Sequence, residues 1–173
     1  MATAKKYPKA IAFCAVMFSD KTLCDEALRL LKQELGEIEK VCGEIDFSQI
    51  TDYYDGEMGK NIKKIYTVFK NPIDRESLAD LKLKTNEIEQ VLAINGKRRV
   101  NLDPGYITKD KFVLASAKDY FHRIAVGKGI FAELTLHFCA NGKIRRFSWT
   151  YEDYLLDGVR DLLLFGRKLV GEL

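Results

Sequence analysis

The stretch AIAFCAVMFSDKTLCDEALRLLKQELG, residues 10–36, contains the two patterns that decide the fold. Its first nine residues are apolar, and a short, bounded apolar run is typical of a buried β-strand. The apolar residues that follow recur at helical spacing, with Asp20 as an N-cap candidate and Gly36 as a stop. The stretch therefore predicts a strand followed by an amphipathic helix.

The pattern continues with two strands, a helix and a strand, at residues 38–47, 61–70, 74–95 and 98–102. The strand at 61–70 is rich in Ile, Tyr, Val and Phe, which favour strands. Asp74 can cap the helix, and Asn95-Gly96 can end it. The resulting order, β-α-β-β-α-β, is the ferredoxin-like arrangement.

The last third predicts an antiparallel β meander, with strands at residues 112–117, 122–126, 130–138 and 143–149. Gly127-Lys128-Gly129 and Asn141-Gly142 are predicted turns. A final helix is expected to start near Thr150, with Asp153 as its capping-box partner. The predicted fold class is α+β: a ferredoxin-like core extended by an antiparallel β meander and a C-terminal helix.

Composition narrows the class of protein. The chain has 173 residues, 47% of them hydrophobic and 31% charged, as in ordinary globular proteins. Its longest apolar runs fall short of the roughly 20 residues that span a bilayer, and the first one continues into an amphipathic pattern rather than forming a signal peptide. We expect a single domain, residues 1–173, located in the cytoplasm, with no membrane partner.

The cysteines and the charge count against two further classes of site, thiolate metal sites and strongly basic nucleic-acid sites. Cys14, Cys24, Cys42 and Cys139 are far apart and form no C-x-x-C pair, so we expect reduced, apolar thiols and no metal site. The net charge of +3 and the pI of 8.6 fall short of the domain pI above about 9 that marks nucleic-acid binding.

The hexapeptide at residues 101–106, NLDPGY, is the most distinctive polar motif. Asp103, Pro104 and Gly105 match a type II β-turn. Such a turn would present Asn101, Asp103 and Tyr106 together at the edge of a cleft. The alternative is a plain turn in which the Asp103 side chain bonds its own backbone.

A second group of polar residues surrounds the predicted turn before residue 122. Lys118, His122 and Arg123 could bind an anion or shuttle a proton, or could form a solvated corner. Alternation in the next strand puts Glu133 on a polar face, which in antiparallel sheets is more often solvated. Arg123 and Glu133 should lie nearly opposite each other. His122 joins them only if it lies at a strand end or in a bulge.

The loop at residues 52–59 carries two aromatic residues, three acidic residues and two glycines. Tyr53 or Tyr54 could stack on a ring-bearing ligand, and the alternative is an acidic surface loop. Three basic clusters, one of which contains Arg99, would bind phosphate or nucleic acid only if they converged. The chain lacks a G-x-x-x-x-G-K-[ST] loop, a G-x-S-x-G elbow and an H-E-x-x-H motif.

Six polar blocks follow one another along the chain: Asp46-Phe47-Ser48, Tyr53-Tyr54 with Glu57-Met58-Gly59, residues 101–106, His122-Arg123-Ile124, Gly129-Ile130 with Glu133, and Thr150-Tyr151 with Asp153-Tyr154. Taken together, these blocks resemble one prokaryotic family of unknown function, domain-of-unknown-function family 4416. Some members are described as GTP-binding, but this chain lacks both the phosphate loop and the N-K-x-D motif that reads guanine. The resemblance implies that these polar blocks are a common feature of the family.

Our leading hypothesis is a domain that binds a small anionic or nucleotide-like ligand, with or without catalysis. The anion would be held by Arg123, Lys118 and Arg99. His122 and Asp103 would be the acid–base pair, and Glu133 or Asp46 a carboxylate or metal ligand. The alternative is a non-catalytic interaction module that binds a protein partner or RNA. The sequence indicates neither a cofactor nor an oligomeric state.

Overall fold

Eight antiparallel strands form one open sheet within the described part of the chain. The structure is a computed structural model that describes residues 1, 3–49, 55–140 and 142–173. The strands are β1 (Ala10–Phe18), β2 (Ile38–Asp46), β3 (Lys63–Ile73), β4 (Val100–Ile107), β5 (Lys111–Ser116), β6 (Arg123–Gly127), β7 (Ile130–Phe138) and β8 (Ile144–Arg146).

The helices cover both faces of this sheet. They are α1 (Lys21–Leu35), α2 (Asp55–Met58), α3 (Leu78–Val91) and α4 (Asp157–Gly171), with short 3₁₀ helices at Phe47–Gln49, Arg75–Ser77 and Glu152–Leu155. The buried sides of α1 and α3 pack against one face, which we call the α1/α3 face. α4 packs against the other, the α4 face. The predicted α+β class is confirmed.

The strand order is β2-β3-β1-β4-β5-β7-β6, with β8 beside β7. The predicted order β-α-β-β-α-β is present in the first part of the chain, and it makes β1 a central strand, antiparallel to both β3 and β4. All nine residues of β1 are buried, since both faces are covered. At the end of β1 the Asp20 side chain caps α1 by accepting the Thr22 amide at 2.8 Å, as predicted.

The predicted turn at residues 101–106 is wrong, because these residues form most of β4. Pro104 is tolerated there because the missing N–H faces away from β1. The Leu102 amide points to that same side, where it bonds Glu89, and alternate residues of a strand share their direction. Gly105 is required by close packing, since a Cβ atom there would lie 2.3 Å from the Val113 carbonyl oxygen.

β4 and β5 are paired over three residues only, Gly105–Ile107 against Phe112–Leu114. Beyond them β4 continues beside β1, whereas β5 continues beside β7. Strand pairing is therefore interrupted between Asp103 on β4 and Ser116 on β5, and we call this interruption the gap. Both of these residues are half-buried.

The extension after β4 is antiparallel, as predicted, but β5 lies beside β7 rather than beside β6. β6 and β8 both pair with the outer edge of β7. Leu134 and Thr135 lie between the segments of β7 that pair with β6 and β8. The Leu134 carbonyl accepts a hydrogen bond from Trp149 Nε1 at 2.9 Å, and the Thr135 carbonyl accepts one from Thr150 Oγ1 at 2.6 Å. Residues 147–150 thus complete this edge of the sheet.

The predicted start of the last helix is also wrong. α4 begins at Asp157, and Asp153 lies in a 3₁₀ helix, where its carboxylate accepts hydrogen bonds from Lys64 and Tyr66 instead of capping a helix. Thr150 is occupied by its bond to β7. None of the described helices combines the length and apolarity needed to cross a membrane.

Candidate functional site

His122, Arg123 and Glu133 form a buried group that we call the histidine cluster. Arg123 Nε donates to Glu133 Oε2 at 2.8 Å, and His122 Nε2 lies 3.1 Å from the same oxygen. The three side chains are only 8%, 6% and 3% exposed, in that order. A carboxylate buried this deeply requires such partners, because an unpaired buried charge is costly.

The hairpin of β6 and β7 produces this arrangement. Arg123 is paired with Glu133 across the two strands, as predicted. His122 lies in the turn just before β6, where the Arg123 amide bonds the Tyr120 carbonyl, so His122 is free of strand alternation. Both side chains can therefore reach one carboxylate.

Glu133 is buried because β7 is irregular, and the expected solvated face is absent here. Pairing with β5 skips from Leu134 to Leu136, which leaves Thr135 as the extra residue of a bulge. Because of the bulge, Glu133 and Leu136 share the α4 face, where apolar side chains cover them. Thr135 Oγ1 lies 3.2 Å from Glu133 Oε1.

Aromatic rings hold the His122 imidazole. The Trp149 ring stacks on it at 5.0 Å between centroids and 10° between planes, and the Phe121 ring meets it edge-on at 4.9 Å. Nε2 faces Glu133, whereas Nδ1 is buried without a hydrogen-bond partner in the described part of the chain. Buried polar atoms are usually paired, so Nδ1 is an exception that suggests a function.

Arg99, Asn101 and Asp103 form a second group, the polar row, at the start of β4. Asn101 and Asp103 point to the α4 face because alternate residues of a strand share a face, and Asn101 Nδ2 donates to Asp103 Oδ2 at 2.9 Å. Arg99 lies beside α2, where Nη1 is 3.4 Å from the Met58 carbonyl oxygen. Its Nε is buried and has no partner among the described residues.

Sequence reasoning missed Lys82 and Glu89, which reach into the gap between β4 and β5 from α3. Lys82 Nζ donates to the Leu102 carbonyl and Glu89 Oε1 accepts from the Leu102 amide, both at 2.7 Å. These two side chains thus replace the missing strand neighbour of Leu102. Lys82 Nζ also lies 3.9 Å from Asp103 Oδ1, a contact that passes through the sheet at the gap.

Burial raises the pKa of the Glu89 carboxyl above its usual range, although the Lys82 ammonium partly offsets this effect. A signal for both residues was present in the sequence. Positions 78, 82, 85 and 89 follow the helical repeat of the apolar side of α3, and a charged residue on such a stripe requires a buried partner.

Arg98, beside the polar row, joins α2 to this network. Its Nη2 and Nε donate to the two oxygens of Glu57 at 2.8 and 3.0 Å. Its Nη1 donates to Asn101 Oδ1 at 2.7 Å and lies 3.3 Å from Glu89 Oε2. The bidentate geometry, which a lysine could not supply, holds α2 over the start of β4.

The proposed acid–base pair of His122 and Asp103 does not form in this structure. Asp103 bonds Asn101, and the carboxylate beside His122 is Glu133. Two strands, β5 and β7, separate β4 from β6, which corresponds to about 14 Å across the sheet at the usual strand spacing. The polar row and the histidine cluster nevertheless share the α4 face. Arg123 Nη1, bonded to Ser116 Oγ at 2.8 Å, lies on the side of the gap.

The remaining predicted residues are dispersed. Tyr106 lies on the α1/α3 face, because it is an odd number of residues from Asp103 along β4, and it packs near α3. Asp46 is exposed at the far edge of the sheet, on β2. Lys118 contributes its main-chain carbonyl, which accepts from Arg123 at 3.1 Å. Tyr53 and Tyr54 lie outside the described residues.

A third buried group went unnoticed in the sequence. Lys64 Nζ and the Tyr66 hydroxyl donate to Asp153 Oδ2 at 2.7 and 2.6 Å, and the ammonium faces the rings of Phe47 and Tyr154. Burial, followed by the charge of Asp153, raises the pKa of Tyr66. The described residues contain no group of three His, Cys, Asp or Glu side chains placed to hold a metal ion.

Comparison with known proteins establishes the family. The model of the family described as Domain of unknown function (DUF4416) matches residues 8–169, so the chain belongs to this family, as the resemblance of its polar blocks predicted. Searches of curated proteins and of solved structures found no match.

Proposed function

We propose that this member of the DUF4416 family binds a small anionic ligand on the α4 face, at the gap between β4 and β5. The observation that carries the proposal is the gap itself. Strand pairing is interrupted there, and the half-buried residues Asp103 and Ser116 lie on its two sides. Buried charged groups also lie on both sides of the interruption, and a few convergent polar groups are typical of ligand sites.

Arg99 is the residue that favours an anion. Unlike Arg98, it has no carboxylate partner among the described residues, and its contact with the Met58 carbonyl oxygen is long, at 3.4 Å. A guanidinium that is half-buried without a counter-charge favours a bound carboxylate or phosphate group. Asn101 and Asp103, on the same strand, offer an amide and a carboxylate to hydroxyl or amino groups of the ligand.

His122 supplies the means for acid–base chemistry. Glu133 orients the imidazole through Nε2, and a third group that fixes the tautomer is a common feature of catalytic histidines. Nδ1 then remains as the imidazole nitrogen without a hydrogen-bond partner in the described part of the chain. We therefore propose binding as the function, with His122 and Glu133 as the acid–base pair if a reaction follows.

The test is a titration of the full chain with adenosine and guanosine monophosphate, followed by amide chemical shifts. We expect saturable shifts at residues 99–103 and 116–118. Arg99→Gln should weaken binding at least about tenfold, since a hydrogen bond to a charged group contributes about 1.5–3 kcal/mol. Arg29→Gln is the matched control, because Arg29 is an exposed arginine paired with Glu26 on α1. Equal affinity in Arg99→Gln and Arg29→Gln would reject the proposed site.

The alternative, an interaction module, is favoured by β6. This strand has a neighbour on one edge only within the described sheet, and Phe121 and Ile124 are 90% and 74% exposed. Exposed edges of this kind accept a strand from a partner protein. A chain whose amides respond to neither nucleotide would favour this second function over the first.

A further inference from the structure

A cavity of about 430 Å³ lies at the opposite end of the sheet from the polar row. Its walls come from the N-terminal arm, the end of β3, the turn between β4 and β5, and the end of α4. The residues that define it are Pro8, Lys9, Pro72, Arg75, Lys109 and Asp110. The volume falls within the range of small-molecule sites, about 300–1,000 Å³.

Arg75, in the wall of this cavity, is the residue on which the inference depends. Its Nε is buried and has no hydrogen-bond partner in the described part of the chain, and its guanidinium lies 5.7 Å from the centre of the Tyr7 ring. The carboxylate of the neighbouring residue Asp74 lies 3.8 Å from Lys9 Nζ and forms no ion pair with Arg75. An arginine fixed at a cavity wall with unused donors is arranged to receive an acceptor from outside the chain.

The surrounding charges favour an anion. Lys9 and Lys109 line the same cavity, and an adjoining cavity of about 600 Å³ shares Lys109 and adds Arg167 and Lys168. The two cavities together have five basic side chains against two acidic ones, Asp110 and Glu172.

Asp110, the acidic residue in the wall of the first cavity, already has partners of its own. Asp110 Oδ1 accepts from Thr108 Oγ1 at 2.5 Å, and Oδ2 lies 3.5 Å from Lys111 Nζ. Although partial burial opposes it, the bond from Thr108 and the charge of Lys111 lower the pKa of Asp110. The Asp110 carboxylate therefore has its partners in Thr108 and Lys111 and not in Arg75.

We propose that this cavity is a second binding site, for the phosphate group of a small molecule, with Arg75 as the bidentate donor and Lys9 and Lys109 as flanking cations. The site is independent of the one proposed at the gap, because it is built from the other ends of the strands. Apolar walls at Pro8 and Pro72 leave room for the uncharged part of such a ligand.

The experiment is a titration of the full chain with inorganic phosphate, read at the Arg75 Nε–H resonance and at the amides of residues 108–111 and 171. We expect saturable shifts there and at least a tenfold weaker affinity in Arg75→Gln. Lys109→Gln, an exposed position, should weaken binding severalfold and tests the site even if Arg75→Gln fails to fold. Arg160→Gln, at an exposed arginine paired with Asp157, should leave the affinity unchanged.

Two results would overturn the proposal. One is linear, unsaturated shifts, or an affinity that neither Arg75→Gln nor Lys109→Gln alters. The other is binding of a ten-nucleotide oligouridine RNA at these residues without any response to inorganic phosphate, because the site would then recognise a nucleic-acid backbone. Saturable phosphate binding that is insensitive to added oligouridine supports the small-molecule site.

Discussion

At the scale of single residues, the buried charged side chains Lys82, Glu89 and Glu133 each have partners on another element of the fold. Glu133 has partners on both oxygens: Arg123 and His122 at Oε2, and Thr135 at Oε1. Lys82 and Glu89 use their charges to pair the backbone of Leu102. Breaking such a group by removing one partner is costly, since it leaves the other charge uncompensated.

Glu89 should make stability depend on pH. Burial raises the pKa of its carboxyl in the folded state above the ordinary value of 4.5. The unfolded chain therefore loses this proton first, and the free energy of unfolding decreases as pH rises from 4.5 through the folded-state pKa. The stabilisation that the protonated Glu89 carboxyl provides is fully present below pH 4.5. We expect Glu89→Gln to lack this part of the slope, measured by urea unfolding at a series of pH values.

The control for this experiment is Glu87→Gln, at an exposed position on the same helix that is paired with Lys84. The dependence of its free energy of unfolding on pH above 4.5 should have the same slope as that of the wild type. A Glu89→Gln variant with an unchanged slope would mean that Glu89 titrates normally in the folded protein.

At the scale of elements, the short contact between β4 and β5 depends on Gly105. We expect Gly105→Ala to lower the free energy of unfolding by about 1–3 kcal/mol, the usual cost of overpacking, because its Cβ atom would lie 2.3 Å from the Val113 carbonyl oxygen. Gly43→Ala on β2 is the control, since no atom lies within 4 Å of the added methyl group there. Urea unfolding measures both, and equal stability of the two variants would contradict the packing argument.

The elements that were predictable are those with a clear apolar period. β1, α1 and β7 have such a period, and the predicted limits of β7 match the structure. The hexapeptide around Pro104 was assigned to a turn because its residues have strong local turn preferences. It forms a strand because its long-range position, paired with β1 and beside the gap, favours extended backbone. No local pattern could reveal that β5 separates from β4.

The candidate site was predictable to the extent that it depends on neighbours in sequence. Arg123 and Glu133 are joined by a short hairpin, so their register follows from the turn. The partner of His122 could not be deduced from the turn, because the bulge at Thr135 decides which face Glu133 occupies. Lys82 reaches Asp103 through a gap between strands, and only the tertiary structure contains that gap.

At the scale of the whole molecule, one sheet has helices on both faces but unequal cover along its width. β1 has two strand neighbours and nine buried residues, whereas β6 has one neighbour and four exposed residues out of five. Local opening is expected to follow such differences in cover.

Hydrogen exchange followed by mass spectrometry should rank the strands accordingly. We expect the amides of β1 and its neighbours β3 and β4 to exchange slowest, and those of β6 to exchange fastest among the strands. Exchange of β6 as slow as that of β1, at a protein concentration where the chain is monomeric, would contradict this ranking. Slow exchange of β6 that appears only at high concentration would instead indicate a second copy on its free edge.

The three-residue contact between β4 and β5 also determines how the opening beside Asp103 can change in size. The part of the sheet that contains β4 is joined to the part that contains β5 only by this short contact. Helix α3 packs across both parts: it bonds Leu102 on β4 and contacts Val113 and Ala115 on β5. Because α3 contacts both parts, its packing helps to hold β4 and β5 in this arrangement. A substitution on α3 that disturbs its contact with Val113 and Ala115 should therefore alter the distance between β4 and β5 beside Asp103, without touching Asp103 itself.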